Sequence, residues 1–507
     1  MSHDHHKPPT IPILAAQKII ADISSGLYRS PAAALKELVA NAYDADAEKV
    51  VIVTDAPHFR TLVVRDTGSG MSLEKFLDAL HHLGGSRKRI IEGDVTPKGR
   101  QIIGRIGIGL LAIAQLGFRF YVSSSVAGVP TRFIAEVNMA PFHKDDVALQ
   151  RLGKIKEESD EVEIGSVTYV KDIPEESDAH YTVITIPEVK KGIISEISGA
   201  VRKVIDAPHK LSIANQQINK FEELVEVTRE ACTEGTKAAS ARSVSRAETL
   251  LDAYYYMLWE LALLCPVNYL DHGPFETSQQ TIEVPSELRL PSPQKFKLIV
   301  DGVEIRRPQL FPTPRHSATE REVSGSANPI IYRLDFDRHI AGRRLKFYGY
   351  IYCQQARICP LEISGLHIRI RNVGIGGYDH SWLGYPFDEE AIFGQMSGEI
   401  YVEHGLESAL NIDRDSFITT EVHYQAMRAY VWDTLHRTVF PNFKSRAAQS
   451  QTESRLPTDP VNEFSLDNNE KKRLRSVLTA LASSKVLADM PDEKVNSLLR
   501  TLASAVK

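Results

Sequence analysis

Cysteine is scarce, with four in 507 residues. Cys232, Cys265, Cys353 and Cys359 are too few to frame a chain of this length, and none shows the spacing of a zinc pair. A disulfide scaffold and a zinc module are thereby excluded, and reduced thiols in a cytoplasmic protein are the expectation. Long apolar runs are missing too. The most hydrophobic stretch, Ile102 to Phe118, is interrupted by Arg105 and by glycines, which falls short of a membrane span. The polar start, with His3, His5 and His6, has no apolar leader core, so neither a membrane nor secretion is expected. A frayed terminus accounts for these histidines more readily than a metal site. Excess positive charge is also absent: 60 basic against 65 acidic residues leave a net charge of −5. The chain as a whole therefore has no counterion-release drive toward nucleic acid, although a local basic patch stays open. No solenoid-type repeat is present.

Hydrophobic residues make up 43% and charged residues 25%, as in ordinary globular proteins. At roughly 150 residues per domain the length suggests about three folding units. Helical spacing predicts a helix over Ile11 to Ile23 and a second one through Asp44, with Pro31 in its first turn. Val-rich runs at Lys49–Thr54 and Thr61–Arg65, then Phe118–Ser125, Thr131–Asn138, Ser166–Val170 and Tyr181–Pro187, alternate like strands. An α/β sandwich over residues 10–200 follows from this pattern. Residues 201–279 read as a helical connecting segment. Strand runs return at Lys297–Val300, Ile330–Phe336, Leu345–Tyr352, Leu366–Val373 and Gly398–Val402, predicting a second α/β domain over residues 280–444. A linker over residues 445–467 then leads to a helical hairpin over residues 468–507, whose apolar residues repeat at helical spacing.

Three segments carry chemistry. On the helix Ala34-Leu-Lys-Glu-Leu-Val-Ala-Asn-Ala-Tyr-Asp44, a turn of roughly 100° per residue places Glu37, Asn41 and Asp44 within an arc of roughly 60°. An acid able to orient and deprotonate water stands there one turn from an amide able to bind a hydrated divalent cation. The same pattern fits a plain amphipathic helix with a solvated side. Asp66-Thr-Gly-Ser-Gly-Met71 follows a strand. Asp66 can accept the exocyclic amine of an adenine, Gly68 and Gly70 let backbone approach the flat base, and Met71 supplies a soft apolar wall. An ordinary tight turn also fits. Gly104-Arg-Ile-Gly-Ile-Gly109 opens a helix, whose free N–H groups point at an anion such as phosphate. This is neither a Walker A loop nor a dinucleotide turn, and glycines for close helix packing give the same pattern.

The order Glu-x-x-x-Asn-x-x-Asp-Ala, Asp-x-Gly-x-Gly, loop, Gly-x-x-Gly-x-Gly over residues 33–116 resembles the GHKL superfamily of ATP-binding domains. Gyrase-type topoisomerases, ninety-kilodalton heat-shock chaperones, MutL proteins and sensor histidine kinases share it. The resemblance implies a Bergerat-type sandwich binding ATP and Mg²⁺. Glu37 would be the general base, Asn41 the Mg²⁺ ligand, Asp66 the adenine reader, and Gly104, Gly107 and Gly109 the phosphate cradle. Asp44 would line the same site. It further implies that Thr182 closes the adenine pocket and that Arg87, in a lid loop, neutralises phosphate charge; a solvated basic loop fits Arg87 as well.

Glu37 separates the chain from the histidine-kinase branch, which usually lacks this acid. Leu410-Asn-Ile-Asp-Arg-Asp415 is similar to a segment of the chaperone middle domain whose arginine reaches the γ-phosphate, so the resemblance implies that role for Arg414. An exposed loop arginine paired with Asp413 or Asp415 is the alternative. The phosphate box departs from the chaperone pattern, and too few residues follow the linker for its usual dimerisation domain. The expectation is a cytoplasmic, Mg²⁺-dependent ATPase coupled to closure or homodimerisation, used as a chaperone-like remodeller of a protein client. A MutL-like or MORC-like nucleic-acid clamp or defence ATPase with a partner effector is the alternative.

Overall fold

The computed structural model describes residues 8–16, 30–81, 96–100, 109–139, 161–200, 211–214, 216–234, 246–276, 282–312, 329–387, 389–411, 414–445, 467–483 and 492–506. Nine strands form the first sheet: β1 (Thr10–Ala16), β2 (Lys49–Val53), β3 (Leu62–Asp66), β4 (Arg119–Ser125), β5 (Thr131–Asn138), β6 (Glu161–Pro174), β7 (Tyr181–Ile186), β8 (Lys297–Val300) and β9 (Val303–Ile305). Their spatial order is β1-β6-β5-β4-β7-β3-β2-β8-β9. Every neighbouring pair is antiparallel except β2 and β8. Alternating burial along β2, β4 and β5 gives each strand one apolar face, as the pleat requires. That face packs under α1 (Pro31–Asp44), α2 (Leu73–His81) and α3 (Gly109–Leu116). A helical layer follows, with α4 (Lys191–Ile197), α5 (Phe221–Glu234) and α6 (Ala253–Leu264). α6 is apolar on almost every side and nearly all of it is buried, because it lies between α1 and the second sheet.

The second sheet holds β10 (Ile330–Ile340), β11 (Arg343–Cys353), β12 (Gly365–Ile370), β13 (Val373–Asp379) and β14 (Met396–His404), in the order β10-β11-β14-β12-β13. Both of its faces are covered, and β11 shows why. Leu345, Phe347, Ile351 and Cys353 join a core under α7 (Val422–Thr434), whereas Tyr350 and Tyr352 point into the core shared with the first sheet. The tail is a helical pair, α8 (Asn468–Ser483) and α9 (Asp492–Val506). The architecture is thus an N-terminal α/β sandwich followed by a second α/β unit and a short helical tail. No described helix is long and apolar enough to cross a membrane.

Local structure departs from the sequence expectation in four places. The helix predicted from Ile11 begins instead as strand β1, paired antiparallel to β6. Pro12 would break a helix interior but is tolerated on this edge strand. Lys297–Val300, expected to open the second domain, pairs in parallel with β2 and so extends the first sheet. The run Leu366–Val373 is a hairpin, turned through Arg371 and Asn372 at φ 52° and 73°, the left-handed pair that two-residue hairpin turns require. Finally, Cys359 is disulfide-bonded, against the expectation of reduced thiols, while Cys265 and Cys353 are buried and free. Sequence spacing says nothing of which distant sulfurs the fold brings together.

Candidate functional site

α1 begins where Ser30 Oγ accepts the Ala33 N–H at 3.2 Å and Pro31 fills the first turn, a favourable N-terminus. Leu35, Leu38, Val39 and Ala42 enter the core. Asn41 is exposed and Asp44 half-buried on the other side. Glu37 was expected on this open side but is only 2% exposed. A loop from the second domain covers it.

That loop follows β14. It is pinched at its base by the bridge between Leu410 and Phe417 and by Asn411, whose N–H donates to Ser416 O and whose side-chain amide donates to Ser416 Oγ at 2.8 Å. Arg414, at φ 53°, then projects from the tip, 5% exposed. Its Nη1 donates to Glu37 Oε2 at 3.2 Å. Beside it, Lys36 Nζ lies 2.5 Å from Asp415 Oδ1 and also donates to Arg414 O at 3.4 Å. Two adjacent residues of α1, Lys-Glu, therefore meet two adjacent residues of the loop, Arg-Asp, with charges crossed. Sequence reasoning found Glu37 and Arg414 separately and missed Lys36 and Asp415. The only signal was this complementary pair of charged dipeptides, which nothing in one dimension aligns.

The second cluster lies at one end of the central strands. Register places Asp66 of β3 opposite Thr182 of β7, and Thr182 opposite Ser124 of β4, so all three share one face. The Asp66 carboxylate accepts from the Gly68 N–H at 2.7 Å and from the Thr182 N–H. Burial nevertheless pushes its pKa up to about 6, with those donors and His180 opposing the rise. Thr182 Oγ1 shares a 3.2 Å hydrogen bond with Ser124 Oγ, which accepts the Met71 N–H at 2.9 Å. Gly68 and Gly70 make this possible, though against protein rather than a ligand. A Cβ on Gly68 would lie 2.8 Å from that of Ala45, and one on Gly70 1.8 Å from Ser125 O, at φ 67°. Ser69 N–H donates to Ala45 O at 2.7 Å, so the turn after β3 docks on the end of α1. The helix thus ties the two clusters into one region.

Gly109 stands at the first position of α3, which packs beside α1. Arg87, Gly104 and Gly107 lie outside the described residues. Among the described residues, no group of three or more His, Cys, Asp or Glu could hold a metal ion. The exposed amide of Asn41 does suit Mg²⁺, an ion that keeps most of its water and needs few protein ligands when substrate phosphates supply the rest.

A family model described as histidine kinase-, DNA gyrase B- and HSP90-like ATPase matches residues 28–166. These residues are a GHKL-type ATPase domain. Over 152 residues, 30% of this chain and 24% of the relative, the sequence is 32% identical to a putative type II restriction enzyme, HgiDII of Herpetosiphon aurantiacus. Over 136 residues, 23% of this chain and 20% of the relative, it is 32% identical to the chaperone protein HtpG of Oleidesulfovibrio alaskensis. The chain thus matches no more than about a quarter of the length of either curated relative. A solved N-terminal domain of a DNA repair protein aligns over 85% of this chain and 99% of its own, at 12% identity and a TM-score of 0.37. The GHKL boundaries enclose Glu37, Asn41, Asp66 and Gly109. Thr182 lies beyond the matched residues, and Arg414 comes from the second domain.

Proposed function

We propose that the chain is a Mg²⁺-dependent ATPase whose site is completed by its second domain. The observation that carries this reading is the buried contact of Glu37 with Arg414, 3.2 Å apart and 377 residues apart in sequence. An acid that can activate water has against it the cation that can offset charge on a transferred phosphoryl group. Asp66, Ser124 and Thr182 offer the polar floor for adenine, and the N-terminus of α3 faces the phosphates. Mg²⁺, when bound near Asn41, neutralises phosphate charge. In the resting contact Arg414 satisfies Glu37. When ATP enters, its terminal phosphate competes for the guanidinium, and Glu37 is released toward water. Because Arg414 sits on the second domain, this exchange favours one arrangement of the two domains and couples turnover to closure or to homodimerisation.

The chaperone-like use, remodelling a protein client, is supported by the match to HtpG. An ATP-gated nucleic-acid clamp or defence module with a partner effector is supported by the match to the putative restriction enzyme. Suppression of client aggregation would favour the first use, and salt-dependent DNA binding the second. Dependence on the cellular ATP pool supports a cytoplasmic setting. The test of the ATPase reading is Glu37→Ala: the variant retains ATP with Mg²⁺ as the unaltered protein does, and turnover stops. Equal loss of both contradicts the assignment. Sizing the same samples with a non-hydrolysable ATP analogue tests coupling, and an unchanged size and shape argues against it.

A further inference from the structure

On the side of α1 away from Glu37, a cleft of about 630 Å³ opens between the two α/β units. Tyr43 and residues 98–100 form one wall, residues 291–295 the floor, and Tyr348, Arg371, Asn372 and residues 401–403 the other wall. Its charge is lopsided. Both lining carboxylates are already engaged: Glu48 by Lys98 at 2.9 Å, and Glu403 by Arg289 and by Lys346 at 2.8 Å. Arg100, by contrast, donates to carbonyl oxygens, those of Tyr43, Ala47 and Lys295, so no carboxylate offsets its charge. Lys295 is exposed at the rim. Behind Asn372 lies Arg307, 2% exposed, which donates to the Asn372 side chain while its Nε and Nη1 have no hydrogen-bond partner.

Aromatic faces alternate with these cations. Arg100 lies 4.5 Å over the Tyr43 ring, and Arg289 4.1 Å over Tyr348. Tyr348 itself stacks on Tyr401 with centroids 5.3 Å apart. A single inorganic anion would leave most of such a volume empty, since about 300–1,000 Å³ is the range of sites for larger ligands. Cations on both walls with rings between them match a ligand that alternates phosphate with a flat base. We propose that this cleft binds single-stranded nucleic acid. The site is separate from the ATP site and does not depend on the ATPase reading. Residues 96–100, which form part of its wall, lie in sequence between the stretch with Arg87 and the Gly104–Gly109 box.

The test uses the full chain and a short fluorescein-labelled oligothymidylate, read by fluorescence anisotropy between about 50 and about 200 mM salt. The unaltered protein binds, and its affinity falls with salt. Lys295→Glu weakens binding about tenfold or more and lowers the salt slope by about one. Lys191→Glu, the same charge reversal at an exposed position on α4, leaves binding within about twofold. Thymidine monophosphate at equal nucleotide concentration fails to displace the oligomer. ATP retention, measured on each sample, stays at its starting level in Lys295→Glu, so failure here is told apart from failure of the ATPase reading. The proposal is overturned by absence of binding at low salt, by equal effects of the two reversals, or by displacement with the mononucleotide, which would leave a nucleotide subsite only.

Discussion

Replacing Arg414 by Ala separates two roles that the buried pair could play. The guanidinium is 5% exposed and the Glu37 carboxylate 2%, so water screens neither, and each feels the other strongly. Removing one partner of a buried pair costs about 3–5 kcal/mol through the charge left behind, here lost from the attachment of the loop to α1. If Arg414 also offsets phosphoryl charge during transfer, losing one such group lowers turnover by about 10²–10³-fold. The adenine cluster of Asp66, Ser124 and Thr182 sits on other elements, so ATP affinity should change by no more than about threefold. Arg414→Lys keeps a point charge without the planar fork and should fall between, about tenfold down. Steady-state phosphate release and equilibrium ATP binding give the two numbers. In a Glu37→Gln background, adding Arg414→Ala should slow turnover little further, because groups acting as a unit are not additive. Faster turnover in Arg414→Ala would refute the reasoning, since the arginine would then act only as a restraint on the base.

Asp66 supplies a pH dependence whose sign can be worked out. Its pKa is raised from 3.8 to about 6 by burial, so between those values the folded state holds more protons than the unfolded one. The contribution of Asp66 to stability is present below about pH 4, falls as pH rises to about 6 and is level above. Accepting an adenine amine needs the carboxylate, so ATP affinity should rise through the upper part of this window. Asp66→Asn should flatten the profile and weaken binding, and a flat profile in the unaltered protein would remove Asp66 from the adenine site. Lys36, wholly buried against Asp415, should be structural: Lys36→Ala lowers stability by about 3 kcal/mol, seen as a lower Tm, while Lys36→Met loses less by keeping the packing. A Tm within experimental error of the starting value for Lys36→Ala would contradict this.

The sequence by itself determined the local machinery of the first domain. Helical periodicity put Glu37, Asn41 and Asp44 on one side of α1, the strand-ending Asp-Thr-Gly-Ser-Gly announced a turn, and glycines marked the start of α3. These features are short-range, set by backbone geometry over a few residues, and so they can be read in one dimension. What only tertiary structure decided depends on distant residues meeting. The period-three reading of Ile11 to Ile23 gave way to an edge strand because β6 offered a partner, and β8 joined the first sheet because β2 lay open beside it. Glycines expected to face a base instead admit Ala45 and Ser125. The burial of Glu37 under Arg414, with Lys36 set against Asp415, could not be read from either segment. An ion pair is defined by separation in space, and the chain that links its partners carries no record of that distance.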